Sequence, residues 1–123
     1  MRTILMLLIL TVTFPQEKPQ PTHIIEVITI NGAINPVVTD YIHDGIIRAV
    51  KENAECLIIQ LNTPGGLLKS TRIIVSDIFS SNVPIVIYVY PSGAQAASAG
   101  VFITLAANIA AMAPGTNIGA AHP

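Results

Sequence analysis

Charge is what this sequence runs short of. Beyond Asp77 it contains no Asp, Glu, Lys or Arg, and only 11% of its 123 residues are charged, six basic against seven acidic. Such a balance excludes a polybasic nucleic-acid binder, and a hydrophobic content of 51% excludes a disordered chain. Trp is absent, and the few aromatics are not interleaved with basic residues, so nothing suggests a base-stacking platform. A single Cys56 excludes a disulfide framework and any multi-cysteine metal site. No Gly-rich phosphate loop and no cluster of metal-ligating residues is visible, so neither a cofactor nor a metal is expected. The length allows one domain at most. A domain does not usually close on so long an uncharged stretch, so the sequence reads as the front part of something larger, incomplete at its C-terminus.

What is present begins with a targeting segment. Arg2 precedes an apolar run from Ile4 to Val12, broken only by Thr11, and Phe14-Pro15 leads into a Pro-rich spacer ending at Pro21. The run is about half of the ~20 residues that span a bilayer, which favours a signal peptide; with no Ala-x-Ala cleavage site, an uncleaved anchor stays open. Residues 1–21 are therefore set apart as signal or N-terminal membrane anchor plus spacer, and residues 22–123 as the domain. An extracytoplasmic, membrane-associated location is expected.

From there the pattern alternates. His23 to Ile30 is β-branched and ends at the turn dipeptide Asn31-Gly32. Asn35-Pro36 opens a helix, with Val38, Tyr41, Ile42, Gly45, Ile46, Ala49 and Val50 at helical spacing on its apolar face. Cys56 to Leu61 reads as a strand covered on both faces. Leu67 to Phe79 reads as a second helix exposing Lys69, Arg72 and Asp77, and Pro84 to Tyr90 as the most hydrophobic strand. The small residues from Ala94 to Gly100 should begin a third helix reaching about Asn108. Ile109 to Ala113 follows as a short strand, and Pro114 to Gly119 as an irregular loop. The order predicts an α/β layered domain with a mostly parallel sheet.

In such a domain the C-terminal ends of the strands converge on one edge, where sites form. Two junctions fall there. Pro64-Gly65-Gly66 precedes the second helix, so its backbone N–H groups can serve an oxyanion; an isolated Pro-Gly-Gly is also an ordinary tight turn. Ser98 stands between Ala97, Ala99 and Gly100, with nothing bulky to block its hydroxyl and a helix dipole to favour its alkoxide. Small residues around a serine equally mark close helix packing. Ser92, between Pro91 and Gly93, is better explained as turn chemistry.

Together, three segments resemble a known family: Asn62-Thr63-Pro64-Gly65-Gly66, then Tyr88-Val89-Tyr90-Pro91 with Ala97-Ser98-Ala99-Gly100, then the run from Ala113 to Pro123. They are similar to the N-terminal part of NfeD-type, membrane-bound serine proteases of the ClpP class, over roughly Ile24 to Pro123. The resemblance implies a ClpP/crotonase-like fold of repeated β-β-α units. It also implies a serine endopeptidase with a lysine base, acting on apolar segments of membrane-linked proteins, with a stomatin-like membrane protein as partner. It places the nucleophile on Ser98 and oxyanion contacts on Gly65, Gly66 and the N–H of Ala99.

The base is the open point. In the family it is a lysine some tens of residues after the serine, and no lysine follows Ser98 here. Lys18 lies in the spacer, Lys51 ends the first helix, and Lys69 is near the glycines but on a face assigned to water. His122 belongs to a segment where the family does not use it as base, His23 opens a strand, and His43 fits an exposed helix position. The base is thus expected outside this stretch, and this stretch alone is expected to be inactive. Two other classes compete: a non-catalytic scaffold or pseudoenzyme of the same fold, and a crotonase-type acyl-CoA enzyme. Export and Ser98 argue against the latter. An incomplete domain with open apolar strand edges is also expected to associate with itself.

Overall fold

The computed structural model describes residues 11–120; the positive Arg2, most of the apolar N-terminal run and His122 lie outside them. Nine elements follow in order: β1 (Ile25–Asn31), α1 (Pro36–Lys51), β2 (Cys56–Asn62), α2 (Leu68–Ser80), β3 (Ile85–Val89), β4 (Gln95–Ala97), α3 (Ala99–Ala106), β5 (Ile109–Met112) and β6 (Asn117–Gly119). Four strands form a parallel sheet in the order β1-β2-β3-β5, and β4 and β6 pair in parallel as a second, small sheet. The architecture is the mixed α/β arrangement expected from the alternation.

Local chemistry accounts for the first helix. Asn35 caps α1, its side-chain oxygen accepting from the Val38 N–H at 3.0 Å, and Pro36 stands at the first helical position. Arg48 and Lys51 complement the negative end of the helix dipole. The apolar face is rotated slightly from the expected one: Tyr41 and Val50 are exposed, whereas Thr39 is buried and its hydroxyl donates to the Asn35 carbonyl. That bond removes the cost of burying the hydroxyl, so the face can include a threonine.

The sheet is covered most fully on one face. Ile28, Leu57, Ile59, Ile85 and Ile87 point into the core, and a Cβ on Gly45 of α1 would lie 3.0 Å from Ile28 Cδ1. On the other face, Ile25 and Val27 are exposed while Cys56, Ile58 and Gln60 are only half-buried. The expectation of a β2 covered on both faces is therefore corrected: its continuous apolar run alternates in burial, because the helices lie on one side. Asp77 also departs from expectation. It is half-buried because it accepts from His43 Nδ1 at 3.1 Å, tying α2 to α1.

The larger correction concerns the small residues near Ser98. Gln95–Ala97 is a strand, not the start of a helix, and α3 begins only at Ala99. Likewise Asn117–Gly119, expected to be irregular, is the strand β6 that pairs with β4. Single bridges extend this second layer, joining Thr63 to Ala96 and Ile34 to Gly66. The β3-β4-α3 stretch is thus a full β-β-α turn, and Ile34 and Gly66 mark the same extra strand position in the two turns before it.

Candidate active site

Ser98 occupies a sharp strand-to-helix turn. The backbone enters from β4, takes φ 52° and ψ −110° at Ser98, and leaves as α3. A non-glycine residue with positive φ outside the usual turn geometry carries strain of about 1–3 kcal/mol, which persists only where the surroundings enforce it. A comparable strained strand-to-helix turn exposes the nucleophile in α/β-hydrolases. Here the Ser98 N–H is held by the Gly119 carbonyl of β6 at 3.0 Å, and its carbonyl accepts from Val101 at 3.0 Å. The side chain is half-buried and makes no capping bond to its own helix, and among the described residues its hydroxyl has no hydrogen-bond partner. Ala99 follows, buried, with its N–H at the positive end of α3; among the described residues that N–H has no acceptor.

The glycine loop lies directly against this turn. Gly65 has φ +120°, and a Cβ there would fall 2.7 Å from Ser98 Cβ and 3.2 Å from Ser98 Oγ. Only a glycine lets the loop come this close to the serine. Gly66 is pinned from the opposite side: a Cβ on it would sit 2.1 Å from the Ile34 carbonyl oxygen. The flanking bonds run from Ile34 N–H to the Gly65 carbonyl at 2.8 Å and from Leu67 N–H to the Ile34 carbonyl at 2.9 Å. The two glycines differ as donors. Gly65 N–H donates to Thr63 Oγ1 at 3.1 Å, whereas Gly66 N–H has no acceptor among the described residues. The structure therefore brings Ser98, Gly65, Gly66 and Ala99 together, with unspent N–H groups on Gly66 and Ala99.

From Ser98 a cleft of about 840 Å³ runs between α2 and α3. Gly66, Ser98 and Ala99 close one end; Leu68, Val75 and Phe79 of α2 face Phe102, Leu105 and Ala106 of α3. Its walls are apolar and open to solvent, with Phe79 73% and Leu105 75% exposed. Arg72 is the one charged residue among those lining it. Lys51 instead lines a separate hollow of about 350 Å³ beside His43 and Asp77, and Lys69 lines neither. Ser92 serves the turn, its hydroxyl donating to the Pro114 carbonyl.

The remaining ion pairs are surface features. His23 meets Glu55 at 3.0 Å, and Arg48 meets Glu26, which raises the guanidinium pKa through their hydrogen bond and charge attraction. Among the described residues no group of three or more His, Cys, Asp or Glu comes together, and no helix is long and apolar enough to cross a membrane.

Residues 24–123 match the family described as the NfeD1b, N-terminal domain. The chain belongs to that family. Among curated relatives, it is 46% identical over 101 residues to Membrane-bound protease PH1510 from Pyrococcus horikoshii, covering 82% of this chain and 23% of that protein. It is 34% identical over 95 residues to Membrane protein NfeD1b from Bacillus subtilis, covering 77% of this chain and 21% of that one. The chain thus spans under a quarter of the length of these curated relatives. In solved structures, a serine-to-alanine variant of a 1510-N membrane-bound stomatin-specific protease superposes with TM-score 0.83 at 44% identity, over 85% of this chain and 50% of that one. A lysine-to-alanine variant of such a protease, in complex with a substrate peptide, gives 0.81 at 46% identity over 82% and 46%. A ClpP1 variant from Listeria monocytogenes gives 0.58 at 22% identity over 67% and 46%, which shows a shared fold. The NfeD1b domain is therefore ClpP-like in architecture, as the resemblance implied.

Sequence reasoning missed three features of this domain's site. The cleft walls Phe79, Phe102 and Leu105 come from two helices whose packing no local pattern shows. Arg72 is exposed, as its helical position predicts, but that it also lines the cleft depends on α3 packing beside α2. Thr63 is part of the Asn62-Thr63-Pro64-Gly65-Gly66 motif, but its full burial and its hydroxyl bonds to Gly65 appear only in the fold.

Proposed function

We propose that this domain carries the nucleophile of a membrane-associated serine endopeptidase. The observation that supports it most directly is the strained Ser98 held between β4 and α3, in van der Waals reach of the Gly65-Gly66 loop. In this reading Ser98 Oγ attacks the scissile carbonyl and a lysine takes its proton. The N–H groups of Gly66 and Ala99 hold the oxyanion. The lysine returns the proton to the leaving amine, and water then hydrolyses the Ser98 acyl ester. That lysine is assigned outside the described cleft, which neither Lys51 nor Lys69 lines.

The substrate is an apolar segment of a membrane-linked protein, laid along the α2–α3 cleft, and a stomatin-like protein is the partner. The open apolar walls support this, as do relatives named as stomatin-specific, one of them a lysine variant solved with a substrate peptide. The apolar N-terminal run serves as signal or anchor, holding the domain at the extracytoplasmic membrane surface, where protomers self-associate. In the full-length protease carrying residues 24–123, Ser98→Ala should lower kcat/KM for an apolar peptide by roughly 10⁴-fold or more, with the fold intact. Retained cleavage would remove Ser98 as nucleophile. The open apolar cleft beside Ser98 would serve equally for a second reading, a pseudoenzyme of the same fold that binds apolar segments without cutting them. Peptide binding without cleavage by the full-length wild-type protein would select it.

A further inference from the structure

Thr63 lies immediately after β2, is fully buried at 0% exposure, and bonds in three directions. Its backbone N–H donates to the Gln95 carbonyl at 2.7 Å, and its carbonyl accepts from the Ala97 N–H at 3.0 Å, so it clamps both ends of β4. Its hydroxyl accepts from the Gly65 N–H at 3.1 Å and donates to the Gly65 carbonyl at 3.2 Å. Its methyl fills the space beside Gly100, where a Cβ would fall 2.7 Å from Thr63 Cγ2. One residue thus touches the glycine loop and the first turn of α3 through its side chain and the strand that delivers Ser98 through its backbone.

The consequence lies in a single peptide plane. The Gly65 carbonyl and the Gly66 N–H belong to the same trans peptide group, so they point in opposite directions and rotate together. That carbonyl is held by Ile34 N–H at 2.8 Å and by the Thr63 hydroxyl. Two glycines in succession offer little steric resistance to rotation of the plane between them. What keeps the Gly66 N–H aimed is therefore the grip on the Gly65 carbonyl. The same hydroxyl occupies the Gly65 N–H and withholds it from any oxyanion.

We infer that Thr63 is a positioning residue for the oxyanion hole: its hydroxyl locks the Gly65–Gly66 peptide so that Gly66, and not Gly65, joins Ala99 as donor. It acts through Gly65 and does not touch substrate. The inference rests on the serine-protease reading above.

The test compares Thr63→Val, Thr63→Ser and Thr63→Ala with Ser98→Ala in the full-length protease. Ser and Ala both lack the methyl and differ only in the hydroxyl, so the comparison survives if the valine variant folds poorly. Thr63→Val should lower kcat by about 100-fold with KM within a few-fold, since a displaced donor affects the transition state and not ground-state binding. Affinity for a peptide boronate, which forms a tetrahedral adduct on the serine, should fall in parallel. Thr63→Ser should recover most of the rate that Thr63→Ala loses. The inference is overturned if folded Thr63→Val or Thr63→Ala keeps kcat within twofold of its hydroxyl-bearing counterpart. Loss of rate with boronate affinity unchanged overturns it too. Cleavage surviving in Ser98→Ala removes Ser98 as the nucleophile, and with it the reading this inference rests on, and is recognised independently of any Thr63 result.

Discussion

Replacing Gly66 by alanine puts the site under its most direct load. The new Cβ would meet the Ile34 carbonyl oxygen at 2.1 Å, its nitrogen at 2.5 Å and its carbonyl carbon at 2.7 Å. An ordinary contact between such atoms is about 3.5 Å, so the chain must separate by roughly an ångström or more. All three obstacles are backbone atoms, and no rotamer change relieves them. The separation disrupts the two bonds that flank the bridge, Ile34 N–H to Gly65 O at 2.8 Å and Leu67 N–H to Ile34 O at 2.9 Å. At about 1 kcal/mol each, the loss in stability should be about 2 kcal/mol, read from denaturant unfolding. The kinetic effect should be larger. An oxyanion donor displaced by about 1 Å loses most of its benefit, so kcat should fall by about 100-fold or more while KM moves little. Steady-state kinetics on an apolar peptide in the full-length protein, at a temperature where the variant remains folded, separates the two effects. A folded Gly66→Ala protein with a wild-type kcat would refute both the placement of the loop and the role of its N–H.

Other perturbations probe the neighbouring contacts. Gly65→Ala should inactivate from the opposite side, since its Cβ would press on Ser98 Cβ from 2.7 Å at a backbone φ of +120° that alanine resists; a crystal structure showing Ser98 unmoved would contradict this. Leu105→Asp, placing a charge on an exposed cleft wall of α3, should raise KM for apolar peptides by about tenfold with kcat nearly unchanged; equal KM values would move the substrate elsewhere. Asn35→Ala should cost about 1 kcal/mol of stability by removing the α1 cap, measured by chemical unfolding, without altering kcat.

How much of this was legible in the sequence follows the range of the forces involved. The chain of β1, α1, β2, α2 and β3 could be read because each carries its own signal: β-branched runs, the Asn35-Pro36 cap, and the helical spacing of Ile42, Ile46 and Ala49. Ser98 and the glycine pair could be singled out because their residue types limit what they do. The state of Gln95-Ala96-Ala97 could not. Two alanines favour a helix locally, and they form a strand because Thr63 on one side and Asn117–Gly119 on the other supply backbone partners. That choice decides the site, since it moves Ser98 from the first turns of a helix to the strained turn before one. The same holds for the burial of Thr63, the contact of Gly65 with Ser98, and the meeting of Phe79 with Leu105 across the cleft. Periodicity and turn residues carried most of the alternation of elements, and the Ala97-Ser98-Ala99-Gly100 motif pointed to Ser98 as the candidate nucleophile. Tertiary packing decided how several peptide N–H groups beside it are spent, because their partners are distant in sequence: Ala97 N–H goes to the Thr63 carbonyl and Ser98 N–H to the Gly119 carbonyl, while those of Gly66 and Ala99 find no acceptor among the described residues.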